Sequence, residues 1–413
     1  SVLLRGSGGM AKATAAAFRD AGFTDVTIVA RNESAGGVLA ELYGFAWRAE
    51  VGDATADVIV NVTPIGMAGG AEARALAFPE PTIAAAAVVF DVVALPADVW
   101  RAHARAHRER IARRTDPLVA LRMRGEKHPV QDFLFGYYTH SPAALARWHP
   151  GAGVVLADPD GAAAAAEAER DGAPHRGGWR HLRATEPGEI PGAEPDGRPT
   201  VGWTVDADAF AADRATGIAF TAELLERTAA RPARLGCFGL HEWAMAYRSD
   251  LHGVRHSRLP LRLGAEGTDA VVESQRIRCT HFDAFRFFAP EARGLNEGAD
   301  GVLPTRAGMR DMEQPGCLHA GMDLYKWAYK LLPWVSSDLV ADCFDLAWDI
   351  RALDMRASPY DLRGVTDLAG GDYPPVRIET PEGRAEYVRA QRGFADRGQA
   401  LRARLLAALA LLL

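Results

Sequence analysis

Lysine is scarce in this sequence. Of 47 basic residues, only Lys12, Lys127, Lys326 and Lys330 are lysines. Where charge alone matters, arginine has replaced it. A retained lysine is then either a chance survivor or a place that needs a tunable amine rather than a planar guanidinium. Cysteine is scarce too. Cys237, Cys279, Cys317 and Cys343 show no C-x-x-C spacing, which argues against a disulfide framework and for reduced thiols, as in a cytoplasmic protein. No apolar run reaches the roughly 18 residues of a membrane span, so no membrane partner is expected. The apolar tail Leu405–Leu413 is too short to cross and reads as the end of a packed helix. There is no surplus of positive charge. The net charge of −6 excludes a polybasic nucleic-acid binder, and such a role would need a local patch. No signal peptide stands at Ser1, and the first residue is not Met, so the sequence is expected to begin inside a longer reading frame.

What is present fits an ordinary globular chain. Its 413 residues suggest two or three domains, and its 48% apolar and 24% charged composition is typical of folded proteins. The first segment alternates strand and helix. Val2-Leu3-Leu4, Val26–Val29, Val58–Val62 and Val88–Val92 read as strands. Helices are expected through Gly22, over 34–43 and over 82–87. This alternation predicts βαβ units and a parallel sheet.

The first strand runs into Gly6-Ser7-Gly8-Gly9-Met10-Ala11, a G-x-G-x-x-A turn that opens an Ala-rich helix. Gly6 permits the tight reversal, Gly8 lets backbone approach a pyrophosphate, and Ala11 keeps helix close to strand. The free N–H groups and positive dipole end of the helix then face phosphate. Arg31 and Asn32 follow the second strand. An acid there would bind a ribose 2′-hydroxyl, whereas Arg suits a 2′-phosphate, so NADP is the expected cofactor.

With Asn61-Val-Thr-Pro-Ile-Gly-Met67 and Phe90-Asp91-Val92-Val93, this segment resembles the NADP-binding domain of the shikimate dehydrogenase family. The resemblance covers most of residues 1–96. It implies that Gly6 to Ala11 cradle the pyrophosphate and that Arg31 and Asn32 hold the 2′-phosphate. Asn61, Thr63 and the Val92 backbone would line the dinucleotide groove. Ala35 stands where the family often has a second basic residue, and Ala94 where it usually has Tyr. The lobe bearing the family's catalytic Lys and Asp has no counterpart, nor do its closing helices after Pro96. The module is therefore expected to bind NADP without reducing dehydroshikimate.

From residue 97 the character changes. Over 100–128 the sequence carries Arg101, Arg105, Arg108, Arg110, Arg113, Arg114, Arg122, Arg124 and Lys127 against Glu109, Asp116 and Glu126. This basic helix reads either as a solvated face or as a contact for DNA phosphates. Residues 157–200, rich in Ala, Gly, Pro and Glu, read as a surface excursion.

Three later blocks share a composition: Cys237-Phe-Gly-Leu-His241-Glu242-Trp243, Cys279-Thr-His281-Phe-Asp283-Ala-Phe285, and Cys317-Leu-His319 running on to Asp323, Tyr325, Lys326, Trp327 and Tyr329. Three readings of them stay open. They are a buried core with satisfied histidines. Or His241, His281 and His319 converge on a metal with Cys or carboxylate help. Or the aromatics stack on a flat ring, such as a flipped nucleobase, beside Glu242, Asp283 or Asp323. No two of the histidines have i, i+4 spacing, so no metal is the expectation, and no cofactor is required by this region.

Together with Arg124-Gly-Glu126-Lys127-His128-Pro129, Trp148-His149-Pro150-Gly151 and Gln314-Pro-Gly, these blocks make residues 97–413 resemble bacterial proteins carried under the name 3-methyladenine DNA glycosylase. The resemblance implies excision of alkylated bases and a role in DNA repair. A carboxylate would stabilise the sugar cation, and an aromatic box would hold the cationic base. Glu242, Asp283 and Asp323 are the candidate carboxylates. Trp243, Phe285 and Trp327, with His241, His281 and His319, are the candidate pocket. Lys127 and Lys326 are candidates for phosphate contact or an imine-forming amine. The alternatives are an NADP-dependent oxidoreductase and a non-catalytic ligand-binding protein. The expected fold is an α/β Rossmann-like parallel sheet over 1–96 followed by a larger α+β domain over 97–413. The oligomeric state is not legible.

Overall fold

The computed structural model describes residues 1–63, 65, 72, 75–91, 94–95, 97–158, 179–185, 201–254 and 259–412. The chain forms two compact units, one of Ser1–Ala106 with His149–Asp213, the other of His107–Trp148 with Arg214–Leu413. The division differs from a simple cut at Pro96, which itself lies outside the described residues. A later stretch of chain returns to the first unit.

The first unit contains the expected parallel sheet. Strands β1 (Val2–Arg5), β2 (Val26–Val29), β3 (Ala46–Arg48), β4 (Val58–Asn61) and β5 (Val88–Asp91) lie in the order β3-β2-β1-β4-β5, with helices α1 (Gly9–Asp20), α2 (Glu33–Tyr43) and α3 (Glu80–Ala85) between them. All four neighbouring pairs are parallel. The short β-branched runs suit strands covered on both faces, and Leu4, Ile28 and Ile59 are fully buried. Strand order reverses between β1 and β4. That reversal opens a crevice beyond the carboxyl end of β1, the usual ligand position in such sheets. Gly6 sits there with φ +138°, and a Cβ on it would meet Val62 Cγ2 at 2.8 Å. No other residue fits the bend.

A second sheet completes this unit. Strands β6 (Ala94–Leu95), β7 (Val155–Asp158), β8 (Leu182–Ala184) and β9 (Val201–Val205) lie in the order β6-β7-β9-β8. β6 pairs parallel with β7, and the other pairs are antiparallel. Helix α4 (Ala97–Met123) follows β6, and the Trp100 indole N–H donates to the Ala157 carbonyl at 2.9 Å. The expectation of a surface excursion over 157–200 is thus corrected at 157–158 and 182–184. Those residues are strands because their ladder partners lie on either side, in β6 and β9. Residues 159–178 and 186–200 fall outside the described residues.

The strands contributed by residues 97–413, β7, β8 and β9, lie in the first unit, and the larger unit is helical. Among its described residues the only β pairings are isolated bridges, such as Leu261 with Tyr360. The helices Leu318–Lys330 and Ser337–Ala357 form its centre. They approach closely at Gly321, where a Cβ would stand 2.8 Å from Ile350 Cδ1. The arginines of the basic stretch are largely engaged in ion pairs here. Arg110 binds Asp342 and Asp345, Arg114 binds Asp345, and Arg122 binds the buried Asp132.

Candidate functional site

The glycine turn of the first unit has the shape its sequence implies. Gly8 caps α1, and a Cβ there would meet no atom of the described residues within 4 Å. Ala11 is fully buried against the sheet. Ser7 is half-buried, and Gly9 and Met10 open the helix. Arg31 has a 71% exposed side chain and pairs with Glu72 at 3.2 Å. Beside it Arg5 donates to the Ala77 carbonyl, and both arginines line a cavity of about 450 Å³. Burial and the neighbouring Arg31 lower the Arg5 pKa. Arg5 escaped the sequence reading because a strand terminus gives no sign of what its side chain will face.

Asn32, Asn61 and Thr63 make hydrogen bonds within the fold. Asn32 caps α2, its Oδ1 accepting from the Ala35 N–H at 3.1 Å. Asn61 is 2% exposed and fully engaged. Its amide donates to the Ile65 carbonyl and to Asp91, and its Oδ1 accepts from the N–H and hydroxyl of Thr63. The Asn-x-Thr pattern therefore locks the turn after β4. Val92 lies outside the described residues.

In the larger unit the three histidines do converge. The rings of His241 and His319 have centroids 4.5 Å apart, and those of His319 and His281 stand 5.2 Å apart. His241 lies on the short helix Leu240–Ala246, His281 caps Phe282–Phe285, and His319 sits in the first turn of Leu318–Lys330. Two groups of possible ligand atoms result, each within 4.8 Å: His241, His319 and Asp354, and His281, Glu313 and Asp323. His241 and His319 also line a cavity of about 640 Å³, together with Cys237, Cys279 and Cys317.

The two groups are supported differently. In the first, His241 Nε2 and Asp354 Oδ1 lie 2.8 Å apart but out of hydrogen-bond alignment, so each lacks a hydrogen-bond partner. The opposite atoms are held. His241 Nδ1 lies 3.6 Å from Cys237 Sγ, and Asp354 Oδ2 accepts from Arg351 at 3.2 Å. Arg351 is itself 1% exposed and also donates to Glu242 at 3.1 Å. In the second group, His281 Nε2 and Glu313 Oε1 face each other at 3.3 Å and likewise lack hydrogen-bond partners, and Nε2 lies 3.5 Å from Asp323. Asp323 accepts from the Tyr138 hydroxyl at 3.0 Å and pairs with Lys326 one turn on.

Burial and charge pull against each other across this cluster. Burial disfavours charged His241, but Asp354 outweighs it and raises its pKa well above the ordinary histidine value. The same contest, with Glu313 and then Asp323 as opponents of burial, brings His281 to about 9. His319 goes the other way. Burial and its two histidine neighbours hold it well below the usual value, so it is a neutral imidazole. Burial, then Cys237, pushes the Cys279 thiol up to about 12.

The remaining expected residues scatter. Glu242 is held by Arg351 and is 4% exposed. Asp283 pairs with Arg286 at 3.0 Å and lines a different cavity of about 780 Å³, with Phe282, Lys326 and Trp327. Trp243 is fully buried, its indole donating to the Ala357 carbonyl. Trp327 is 8% exposed, with the Lys326 and Lys330 ammonium groups 4.5 Å and 5.2 Å from its ring. Phe285 packs on Phe288. These aromatic rings do not share one cavity. Burial opposes charge on Lys326, but Asp323 outweighs it and raises the pKa, which disfavours the free amine an imine would need. Lys127 is exposed. Asp354, Glu313 and Arg351 were not foreseen. Their one signal is Arg351 and Asp354, spaced i, i+3 on the buried stripe of a helix that also buries Phe344 and Ala347.

No family model matches the chain. Its N-terminal segment resembles shikimate dehydrogenase-like proteins. A shikimate dehydrogenase-like protein of Haemophilus influenzae is 52% identical over 97 residues, which is 24% of this chain and 36% of that protein. A shikimate dehydrogenase (NADP(+)) of Oleidesulfovibrio alaskensis is 40% identical over 77 residues, covering 18% and 27% of the two chains. The solved structure of a shikimate 5-dehydrogenase-like protein matches at 52% identity with a TM-score of 0.22, over 22% of this chain and 35% of that one. The chain thus spans 36% and 27% of the length of its curated relatives. No helix among the described residues is long and apolar enough to cross a membrane.

Proposed function

We propose that the N-terminal module binds NADP. The observation that carries this is the open glycine bend between β1 and α1, with Arg31 exposed at the end of the neighbouring strand. The bend offers unpaired helix N–H groups to a pyrophosphate. Arg31 offers a planar fork to a 2′-phosphate, and Arg5 adds a second positive charge on the same cavity. One relative is named for its use of NADP(+), which agrees with this preference. Calorimetric titration of the full chain tests it. NADP⁺ is expected to bind at least about tenfold more tightly than NAD⁺, and Arg31→Asp to abolish that difference, since one charge-assisted contact contributes about 1.4 kcal/mol or more. Equal binding of the two nucleotides, or binding of neither, overturns the proposal.

A second reading concerns the larger unit, namely excision of alkylated bases. It is supported by the cavity that places Asp283 beside Phe282 and Trp327 and that Arg214, Arg286 and Arg306 also line. Trp327 is already covered by two ammonium groups, so a bound base would rest on Phe282. Release of 3-methyladenine from methylated duplex DNA is the test. Absence of release sinks this reading.

A further inference from the structure

We propose that His241, His319 and Asp354 hold a divalent first-row cation of the zinc and iron(II) class, with one coordination position open to the cysteine-lined cavity. The expectation of no metal rested on the spacing of histidines along the sequence. The fold replaces that spacing with ligands from three separate helices.

Two buried atoms carry the argument. His241 Nε2 and Asp354 Oδ1 lie 2.8 Å apart without the alignment of a hydrogen bond, and neither has another partner. Buried polar atoms are nearly always satisfied, so an unsatisfied facing pair asks for an explanation. Atoms that ligate one ion at about 2.0–2.2 Å stand roughly 3 Å from each other. The pair is placed as ligands are, converging on a common point.

The far side of each group agrees. His241 Nδ1 rests on the Cys237 sulfur, and Asp354 Oδ2 accepts from Arg351. Ligating imidazoles and carboxylates are fixed in this way by outer partners. His319 supplies the third donor within 4.8 Å. Two imidazoles and one carboxylate favour zinc or iron(II) over calcium or magnesium. Three protein ligands beside a cavity leave room for water or substrate.

Access to the cysteine-lined cavity selects this group over its neighbour. Around Asp354, one guanidinium is shared by two carboxylates. Asp323, in the other group, already has the Lys326 ammonium and the Tyr138 hydroxyl. Neither His281 nor Asp323 lines the cysteine-lined cavity.

The full chain, stripped with a chelator and dialysed, is titrated with zinc against a chromophoric competitor. One tight equivalent is expected. His319→Ala should weaken it at least about 100-fold, because loss of a direct ligand exceeds the 10–100-fold cost of losing an outer partner. His319→Gln, closer in shape, should show the same loss with an unchanged circular dichroism spectrum. His281→Gln should leave the affinity within about threefold, below even that outer-partner cost. The cobalt(II)-loaded chain should lack a thiolate-to-cobalt charge-transfer band. Substoichiometric zinc, retention of the tight site in either His319 variant, loss of it in His281→Gln, or a thiolate band would each overturn the assignment.

Discussion

Carboxylate–cation pairs occur in both units, in opposite surroundings. In the N-terminal module, Arg31 and Glu72 meet at 3.2 Å with side chains 71% and 46% exposed. In the larger unit, Arg351 meets Glu242 at 3.1 Å and Asp354 at 3.2 Å, and all three are nearly fully buried. The bonds have similar lengths. Their worth differs because water screens one pair and is excluded from the other. An exposed pair can part and rehydrate at little cost, which suits a site that must exchange a salt bridge for a ligand phosphate. A buried trio cannot part without stranding charge, which suits a framework that must hold ligand atoms still.

The largest effect expected from this contrast is that of Arg351→Met. It leaves Glu242 and Asp354 buried without their shared guanidinium, and should cost about 4 kcal/mol. The loss is read by urea denaturation of the full chain. Adding Glu242→Gln should recover part of it, because one stranded charge is then gone. A cost below about 1 kcal/mol would mean that water reaches the trio, and the contrast would fail.

A smaller effect comes from a buried group that stays neutral. The His140 ring stacks on Tyr329 with centroids 4.8 Å apart and 6° between planes. Burial, with help from Arg147, pulls its pKa down from the ordinary 6.5 to about 4. The unfolded chain therefore binds a proton more readily than the folded one. Stability is complete above pH 6.5 and declines as pH falls toward 4. The decline amounts to about 1 kcal/mol at pH 5.5 and at most about 3 kcal/mol at lower pH. His140→Phe keeps a stacked ring and should flatten this part of the stability profile. An unchanged slope would assign the acid sensitivity to other groups.

The same contrast explains what could be read in advance. The module's site is made of backbone in one continuous turn, so Gly6, Gly8 and Ala11 display it in the sequence. Its sheet was legible because β-branched runs recur between helical stretches. The larger unit's cluster draws on His241, Glu313, His319 and Asp354, which lie in separate segments. Their composition was visible, since Cys, His and carboxylates recur in three blocks. Their partnership was not, because helix packing decides it. Asn61 and Thr63 carried the opposite lesson. A motif tied by resemblance to cofactor binding spends its side chains on the turn after β4. Trp243 likewise reads as part of a stacking platform and is fully buried, whereas Trp327 lines a cavity. The strands at 155–158 and 182–184 were hidden by a composition that reads as loop, and ladder partners distant in sequence decided them.

The smallest effect belongs to the exposed pair. Glu72→Gln removes the partner of Arg31. Stability should hardly change, since a pair this exposed contributes at most about 1 kcal/mol and often nothing. Binding is where the change should appear. In the intact chain a 2′-phosphate must displace the Glu72 carboxylate and then lie near it, so one negative charge repels another. Glutamine keeps the shape and removes the repulsion. NADP⁺ should bind about threefold more tightly to Glu72→Gln, a gain within the worth of one surface pair, while NAD⁺ should be unaffected. The gain should shrink as salt is raised. Equal tightening of both nucleotides would show that Glu72 acts on the pyrophosphate or on the shape of the site, and Arg31 would lose its place as the residue that distinguishes the two.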